Sequence, residues 1–176
     1  MATTINGSAG VITNSGAVYD GLQLRTAVAS TSGTSIDFTG IPSWVKRITV
    51  MLSGVSTSGT SVVEVRLGDS GGIETTGYIG TATGTAGAGL ASSNLSTGIP
   101  FDISGSATYI KSGNLYLTNL TGNTWTFSAT FSDSSAARAN HVSGSKTLTD
   151  VLTQLRITTV NGTDTFDAGS INIMYE

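Results

Sequence analysis

The chain has 176 residues, of which only 11% are charged, and its formal net charge is −3. This length fits one domain with its own core, and the absence of Cys excludes disulfides and thiolate metal sites. Nucleic-acid binding needs a basic patch, which this composition does not supply, and no run of eighteen apolar residues indicates a membrane-spanning helix.

Residues 1–21 are rich in Gly, Ser, Thr and Asn, with only isolated apolar side chains. Because this stretch has too little apolar surface for a core, we expect an extended N-terminal arm that pairs with a neighbouring chain or with the domain. The start of the chain lacks a basic segment followed by an apolar run. We therefore expect a protein that is made in a cytoplasm and is not processed.

Residues 22–176 are predicted to form one β-sandwich domain. The whole chain contains 29 Thr, 24 Ser and 23 Gly, a composition that favours strands joined by tight turns. Apolar side chains alternate with polar ones, which gives strands with one buried face. Three such apolar faces are formed by Ile48, Val50 and Leu52, by Val63, Val65 and Leu67, and by Trp125, Phe127, Ala129 and Phe131.

Two segments are harder to assign. Residues 80–98 consist mainly of Gly, Ala, Ser and Thr, and we expect a long surface loop there. Leu148, Val151, Leu152 and Leu155 fit helical spacing, but a β-branched run follows, so we expect at most one helical turn before a strand. Eight to ten short strands in total predict an all-β, antiparallel β-sandwich of jelly-roll type.

The string Gly-Asp-Ser-Gly-Gly at residues 68–72 matches the nucleophile signature of trypsin-like serine proteases. A nucleophilic Ser needs an imidazole to take its proton and a carboxylate to orient that base. The single His of the chain, His141, follows Ser70, whereas the trypsin order requires a His upstream. We interpret the string as a Gly-rich turn after a strand, with Asp69 and Ser70 bonding to the local backbone.

Other polar residues give no metal or catalytic signature. His141 is expected in an exposed loop, with a role in a subunit contact as one alternative. Residues 161–167 form an oxygen-rich stretch, but with two carboxylates and one amide it is better explained as an Asn-Gly turn than as a calcium loop. No spacing among the eleven acidic residues selects a pair suited to glycoside hydrolysis.

Three stretches carry a resemblance to a known family: residues 33–51, which include Gly-Ile-Pro-Ser-Trp, residues 67–78 around Gly-Asp-Ser-Gly-Gly, and the closing residues 160–172. They resemble a module of short virion-associated and tail-fibre-like proteins of tailed bacteriophages. The opening residues 2–6 are similar to the start of other phage structural proteins. The resemblance implies a particle protein with a β-sandwich fold that forms a homotrimer. It also implies that the Gly-Asp-Ser-Gly-Gly string occurs without a catalytic histidine pattern.

The leading hypothesis is therefore a non-enzymatic tail-fibre or receptor-binding component, located in a virion that is assembled in the host cytoplasm. Its partners would be copies of itself, other virion proteins held through the arm, and host surface glycan. The alternative is a capsid decoration protein that stabilises the head, and a third hypothesis is a polysaccharide hydrolase. We expect no cofactor and no metal, and we name Trp44, Tyr78 and His141 as candidate ligand or interface contacts.

Overall fold

The computed structural model describes residues 4–6, 10–12, 18–19, 21–86 and 89–176, with side chains described over 21–85 and 89–176. Within these ranges the chain is all-β, contains no helix, and pairs its strands only in antiparallel fashion. In chain order the strands are β1 (Thr4–Asn6), β2 (Gly10–Ile12), β3 (Val18–Tyr19), β4 (Gln23–Leu24), β5 (Val28–Ala29), β6 (Ser35–Thr39), β7 (Arg47–Thr57), β8 (Val63–Asp69), β9 (Gly72–Ile73), β10 (Tyr78–Ala86), β11 (Gly89–Asn94), β12 (Ile99–Pro100), β13 (Lys111–Thr121), β14 (Thr124–Asp133), β15 (Arg138–Thr147), β16 (Gln154–Thr159) and β17 (Phe166–Tyr175).

The described strands form three sheets. The larger of two packed sheets has the order β11-β10-β15-β14-β13-β7-β17-β4, and β5 also pairs with β17. The smaller one has the order β12-β8-β16-β6, and β9 pairs with β8. A separate three-stranded sheet contains β1, β2 and β3, which are hydrogen-bonded in that order.

One hydrophobic core lies between the two packed sheets. Ile48 and Leu115 reach it from the larger sheet, and Leu67 and Ile157 reach it from the smaller sheet. Burial alternates along β14, where Trp125 and Phe127 point inward, because successive side chains of a strand lie on opposite faces. The sequence pattern therefore decides which face of the larger sheet is left for solvent.

The structure confirms the predicted all-β fold of packed antiparallel sheets, while the jelly-roll connectivity stays a prediction. It corrects the expected loop at residues 80–98, because much of this stretch lies in the paired strands β10 and β11. Gly, Ala and Thr provide no large apolar face, so the sequence pattern missed a hairpin that is held by its pairing with β15. Residues 148–153 contain no helical turn, and Leu148 and Leu152 are buried in the core.

The predicted N-terminal arm falls largely outside the described residues. Of residues 1–21, the structure describes β1, β2, β3 and Gly21. Among these strands, β2 pairs with β1 on one side and with β3 on the other. The assignment of an extended arm therefore stays a prediction.

Candidate binding surface

The outward face of the larger sheet carries rows of hydroxyl groups, and we call it the hydroxyl face. The strongest local signal is in β14, where every second residue from Thr124 to Ser132 is Ser or Thr and the residues between them are apolar. Antiparallel pairing places the polar residues of the neighbouring strands beside them. The face comprises Thr81, Thr83 and Thr85 of β10, Thr126, Ser128 and Thr130 of β14, Ser143 and Ser145 of β15, and Tyr116 and Thr118 of β13.

Strand register places these side chains in two neighbouring rows. In one row His141 lies opposite both Thr83 and Thr130. In the next row Ser128 is paired with Ser143 on one side and with Tyr116 on the other. Rows of this kind repeat every two residues along the strands, at about 6.6 Å, and every strand across the sheet, at about 4.8 Å.

An open depression of about 410 Å³ lies on this face. Its lining includes Thr81, Tyr116, Ser128, Thr130, His141 and Ser143. None of the lining residues is Asp, Glu, Lys or Arg, and His141 lies among Ser and Thr hydroxyl groups there. The Thr130 Oγ1 and His141 Nδ1 atoms are 3.2 Å apart, which joins β14 to β15 through their side chains.

Tyr116 separates this depression from a second one of about 300 Å³. Its side chain is 46% exposed and lines both depressions. The second depression is lined by Leu22, Thr49 and Met174 as well, and by the ion pair of Arg47 with Glu176. The exposed ring of Tyr116 thus offers an apolar platform between a hydroxyl-lined depression and one lined by apolar side chains and an ion pair.

The chemistry of the first depression suits an uncharged ligand that is rich in hydroxyl groups. Each Ser or Thr hydroxyl donates one hydrogen bond and accepts others, so it complements either role of a ligand hydroxyl. A phosphate or sulfate ligand would instead need cations or a cluster of backbone N–H groups. The aromatic ring of Tyr116 can pack against the C–H groups of a sugar ring, which are its apolar part.

Of the three contact residues predicted from sequence, His141 lies in this depression. It belongs to β15 and is exposed, which corrects its assignment to a loop. Trp44 is 38% exposed but lines neither depression, and its ring packs 5.9 Å from the ring of Tyr175.

Tyr78 is buried and lies away from the surface. Its hydroxyl accepts a hydrogen bond from the Leu67 N–H (2.7 Å) and donates one to the Glu74 carbonyl (3.1 Å). Burial raises the pKa of this hydroxyl well above its usual value. A Tyr in this position cross-links the two sheets, so its ring is not available to a ligand at the surface.

Sequence reasoning missed Tyr116, although a signal for it was present. Tyr116 lies between Leu115 and Leu117, which are both fully buried, so strand alternation alone places Tyr116 on the opposite face. The regular hydroxyl spacing of β14 is the second missed signal. Neither signal belongs to a known sequence motif, because each depends on which face of the strand the sandwich buries.

The protease-like string forms the predicted turn between β8 and β9, in which Asp69 bonds to the local backbone as expected, whereas Ser70 bonds to a distant side chain. The Ser70 hydroxyl donates to Asp150 (2.9 Å), while Asp69 accepts hydrogen bonds from Gly71 N–H, Thr149 Oγ1 and Asp150 N–H, each at 2.8 Å. The Thr149 hydroxyl and the backbone donors lower the pKa of Asp69. Ser70 thus lies in the smaller sheet's turn, whereas His141 lies on the larger sheet and bonds to Thr130.

Two carboxylates, Glu64 and Asp102, line a small cleft of about 120 Å³ and are the candidate for a pair of hydrolase carboxylates. Both are buried and already engaged. Glu64 accepts from Arg66 and Thr97, and Asp102 forms a 3.0 Å ion pair with Lys111. This arrangement ties the carboxylates to the fold and leaves neither facing a hollow the size of the depressions on the hydroxyl face.

The oxygen-rich stretch at residues 161–167 forms the predicted turn. Asn161 accepts from the backbone N–H of Thr163, and Asp164 accepts from the N–H of Ser61 and from the Asn161 amide. Among the residues with described placement, no group of three or more His, Asp or Glu could hold a metal ion. The same part of the chain contains no helix long and apolar enough to cross a membrane.

Comparison of the chain with protein-family models, with curated proteins and with solved structures finds no match.

Proposed function

We propose that this chain is a non-catalytic component of a tailed-phage virion that adheres to neutral carbohydrate on the host surface through its hydroxyl face. The depression beside Tyr116 carries the proposal, because hydroxyl groups and one exposed aromatic ring line it without Lys, Arg, Asp or Glu. The sequence resemblance to tail-fibre-like proteins supports the virion setting. Multiple copies on a particle would convert weak single contacts into firm attachment.

Binding to polysaccharides tests the carbohydrate part of the proposal. The probes are neutral glucans, galactans and mannans, with dextran sulfate as the anionic comparison, measured by titration calorimetry on the full chain. We expect binding to at least one neutral polymer and none to dextran sulfate. Tyr116→Ala should weaken that binding by about tenfold, which corresponds to a loss of ~1.4 kcal/mol.

A matched control is Trp44→Ala, which removes another partly exposed aromatic ring outside both depressions. This variant should bind the neutral polymer as the wild type does. Equal losses in both variants, or binding to dextran sulfate alone, would contradict the assignment of the hydroxyl face.

A second candidate is capsid decoration, and the N-terminal strands favour it. β2 pairs with β1 and with β3, in a sheet separate from the two packed sheets. A segment of this kind could clamp a neighbouring head protein and stabilise it by binding. Gold-labelled antibodies on virions that contain the chain distinguish the candidates: label at the tail supports adhesion, label over the head supports decoration, and unlabelled particles contradict both.

A further inference from the structure

Strand β11 forms one edge of the larger sheet and has an unusual surface for an edge. All six of its residues are exposed, and Leu90 is 78% exposed. Its register with β10 runs without a shift from Thr81↔Asn94 to Ala86↔Gly89. Alternate residues of an edge strand direct their N–H and C=O groups outward in the plane of the sheet, beyond its edge, where another strand can pair with them.

The other edges of the two packed sheets are protected. At the far edge of the larger sheet, β4 and β5 are two residues each, and Arg25 follows β4. In the smaller sheet, β12 is two residues long and ends in Pro100, while β6 carries the exposed carboxylate of Asp37. Short strands, proline and charge are the devices that prevent edge-to-edge pairing. β11 has none of them: it is regular, six residues long and without charge or proline.

We propose that β11 pairs with β11 of a second copy of this chain, in antiparallel orientation, so that the larger sheets of two copies become continuous. A second copy is the occupant that the strand chemistry favours, because two identical uncharged strands meet without like-charge repulsion. Antiparallel pairing of identical strands is an isologous contact about a two-fold axis, so it closes after two copies. The proposal therefore gives a dimer in place of the homotrimer that the sequence resemblance implies.

The pairing has a consequence for the hydroxyl face. Leu90 and Ser92 lie opposite Thr85 and Thr83, so they belong to the outward side of the sheet. With the two-fold axis normal to the sheet, the outward sides of both copies face the same direction. The two β10 strands are then separated by three strand spacings, about 14 Å, which places both depressions on one surface. This inference stands apart from the carbohydrate proposal, since the edge would pair whatever the face binds.

Sedimentation equilibrium of the full chain over a concentration series tests the pairing. We expect a reversible species of twice the 17.8 kDa chain mass. The variant Leu90→Lys/Ser92→Lys should raise the dimer Kd more than tenfold, because it places four cations along one strand pair. The matched control Thr118→Lys/Ser132→Lys adds the same charge to exposed positions away from β11 and should leave the Kd unchanged.

Complementary charge provides a second measurement. A mixture of Leu90→Lys/Ser92→Lys with Leu90→Glu/Ser92→Glu should form heterodimers more tightly than either variant forms homodimers. The proposal is overturned if the wild type stays monomeric throughout, if it has three times the chain mass, or if the control weakens association equally. Tyr116→Ala, which lies outside β11, should dimerise as the wild type does while losing affinity for the neutral polymer, so failure of one proposal is distinct from failure of the other.

Discussion

Replacing Lys111 with Met should destabilise the fold, because it leaves the buried carboxylate of Asp102 without its main counterion. Lys111 Nζ is 3.0 Å from Asp102 Oδ2, and both side chains are almost fully buried. Met keeps much of the length and the apolar stem of Lys but removes its charge. Removing one partner of a buried ion pair typically costs about 3–5 kcal/mol, because the other charge stays buried without its counterion.

The surroundings of Asp102 place the expected cost at the lower end of that range. Arg138 NH1 lies 3.8 Å from the same Oδ2 atom and keeps part of the attraction, while Asp102 Oδ1 retains its bond from the Ile103 N–H. We therefore expect Lys111→Met to lower the free energy of unfolding by about 3 kcal/mol. For a domain of this size that loss corresponds to a fall in Tm of roughly 6–12 °C.

Urea unfolding followed by tryptophan fluorescence measures this change, and a double-mutant cycle isolates its cause. Asp102→Asn added to Lys111→Met removes the stranded charge, so the double variant should recover stability relative to Lys111→Met alone. The control Lys46→Met removes a Lys whose contact with Asn119 is exposed, and it should change stability by less than about 0.5 kcal/mol. The reasoning is refuted if Lys111→Met is as stable as Lys46→Met, or if the double variant is the least stable of the set.

Two further predictions concern acid stability and glycine packing. Hydrogen bonds lower the pKa of Asp69. Burial alone would raise the pKa of Glu74, but hydrogen bonds from Lys146 and Thr149 outweigh it, so the pKa of Glu74 is lowered as well. Since depressed carboxyl pKa values stabilise the fold above the unfolded values of 3.8 and 4.5, this contribution is present at pH 7 and is lost as the pH falls below them. Thermal unfolding between pH 7 and 2 should show a shallower acid loss for Asp69→Asn, and an unchanged acid slope would contradict the role of Asp69. Gly144→Ala would place a Cβ 2.2 Å from the Ile79 carbonyl oxygen and 2.9 Å from the Phe127 ring. Urea unfolding should therefore show that the free energy of unfolding falls by about 1–3 kcal/mol. In the control Gly21→Ala the added Cβ has no atom within 4 Å, and the free energy of unfolding should not change.

Alternation along the strands predicted much of the fold from sequence. The inward faces of β7, β8 and β14 were identified correctly, because large apolar side chains at every second position leave one choice of buried side. The hairpin of β10 and β11 was not identified, because its small residues do not indicate which side of the strands is buried. At Gly80 and Gly144 the two backbones approach so closely that a Cβ on either would collide, and this tertiary contact is invisible in a single segment.

The candidate site was harder to predict for a related reason. Tyr78 and Ile79 are neighbours that could each have been the buried one, and alternation could not choose between them. In the structure the Tyr78 hydroxyl bonds the Leu67 N–H, while Ile79 is 72% exposed. A hydrogen-bond partner on a distant strand thus decides which of these two neighbours enters the core, and this information lies outside the local pattern.

The distribution of charge connects the hydroxyl face to the proposed pairing of two copies. Six of the eight cations in the sequence form ion pairs within the chain, those of Arg47, Arg66, Lys111, Arg138, Lys146 and Arg156. No Lys, Arg, Asp or Glu lines the first depression of the hydroxyl face, so no such charge there attracts a ligand from a distance. Affinity there must come from short-range hydrogen bonds and one aromatic contact, each of which competes with water. A surface of this chemistry gains most from repetition, and an edge strand that joins two faces side by side provides it without any change in the binding residues.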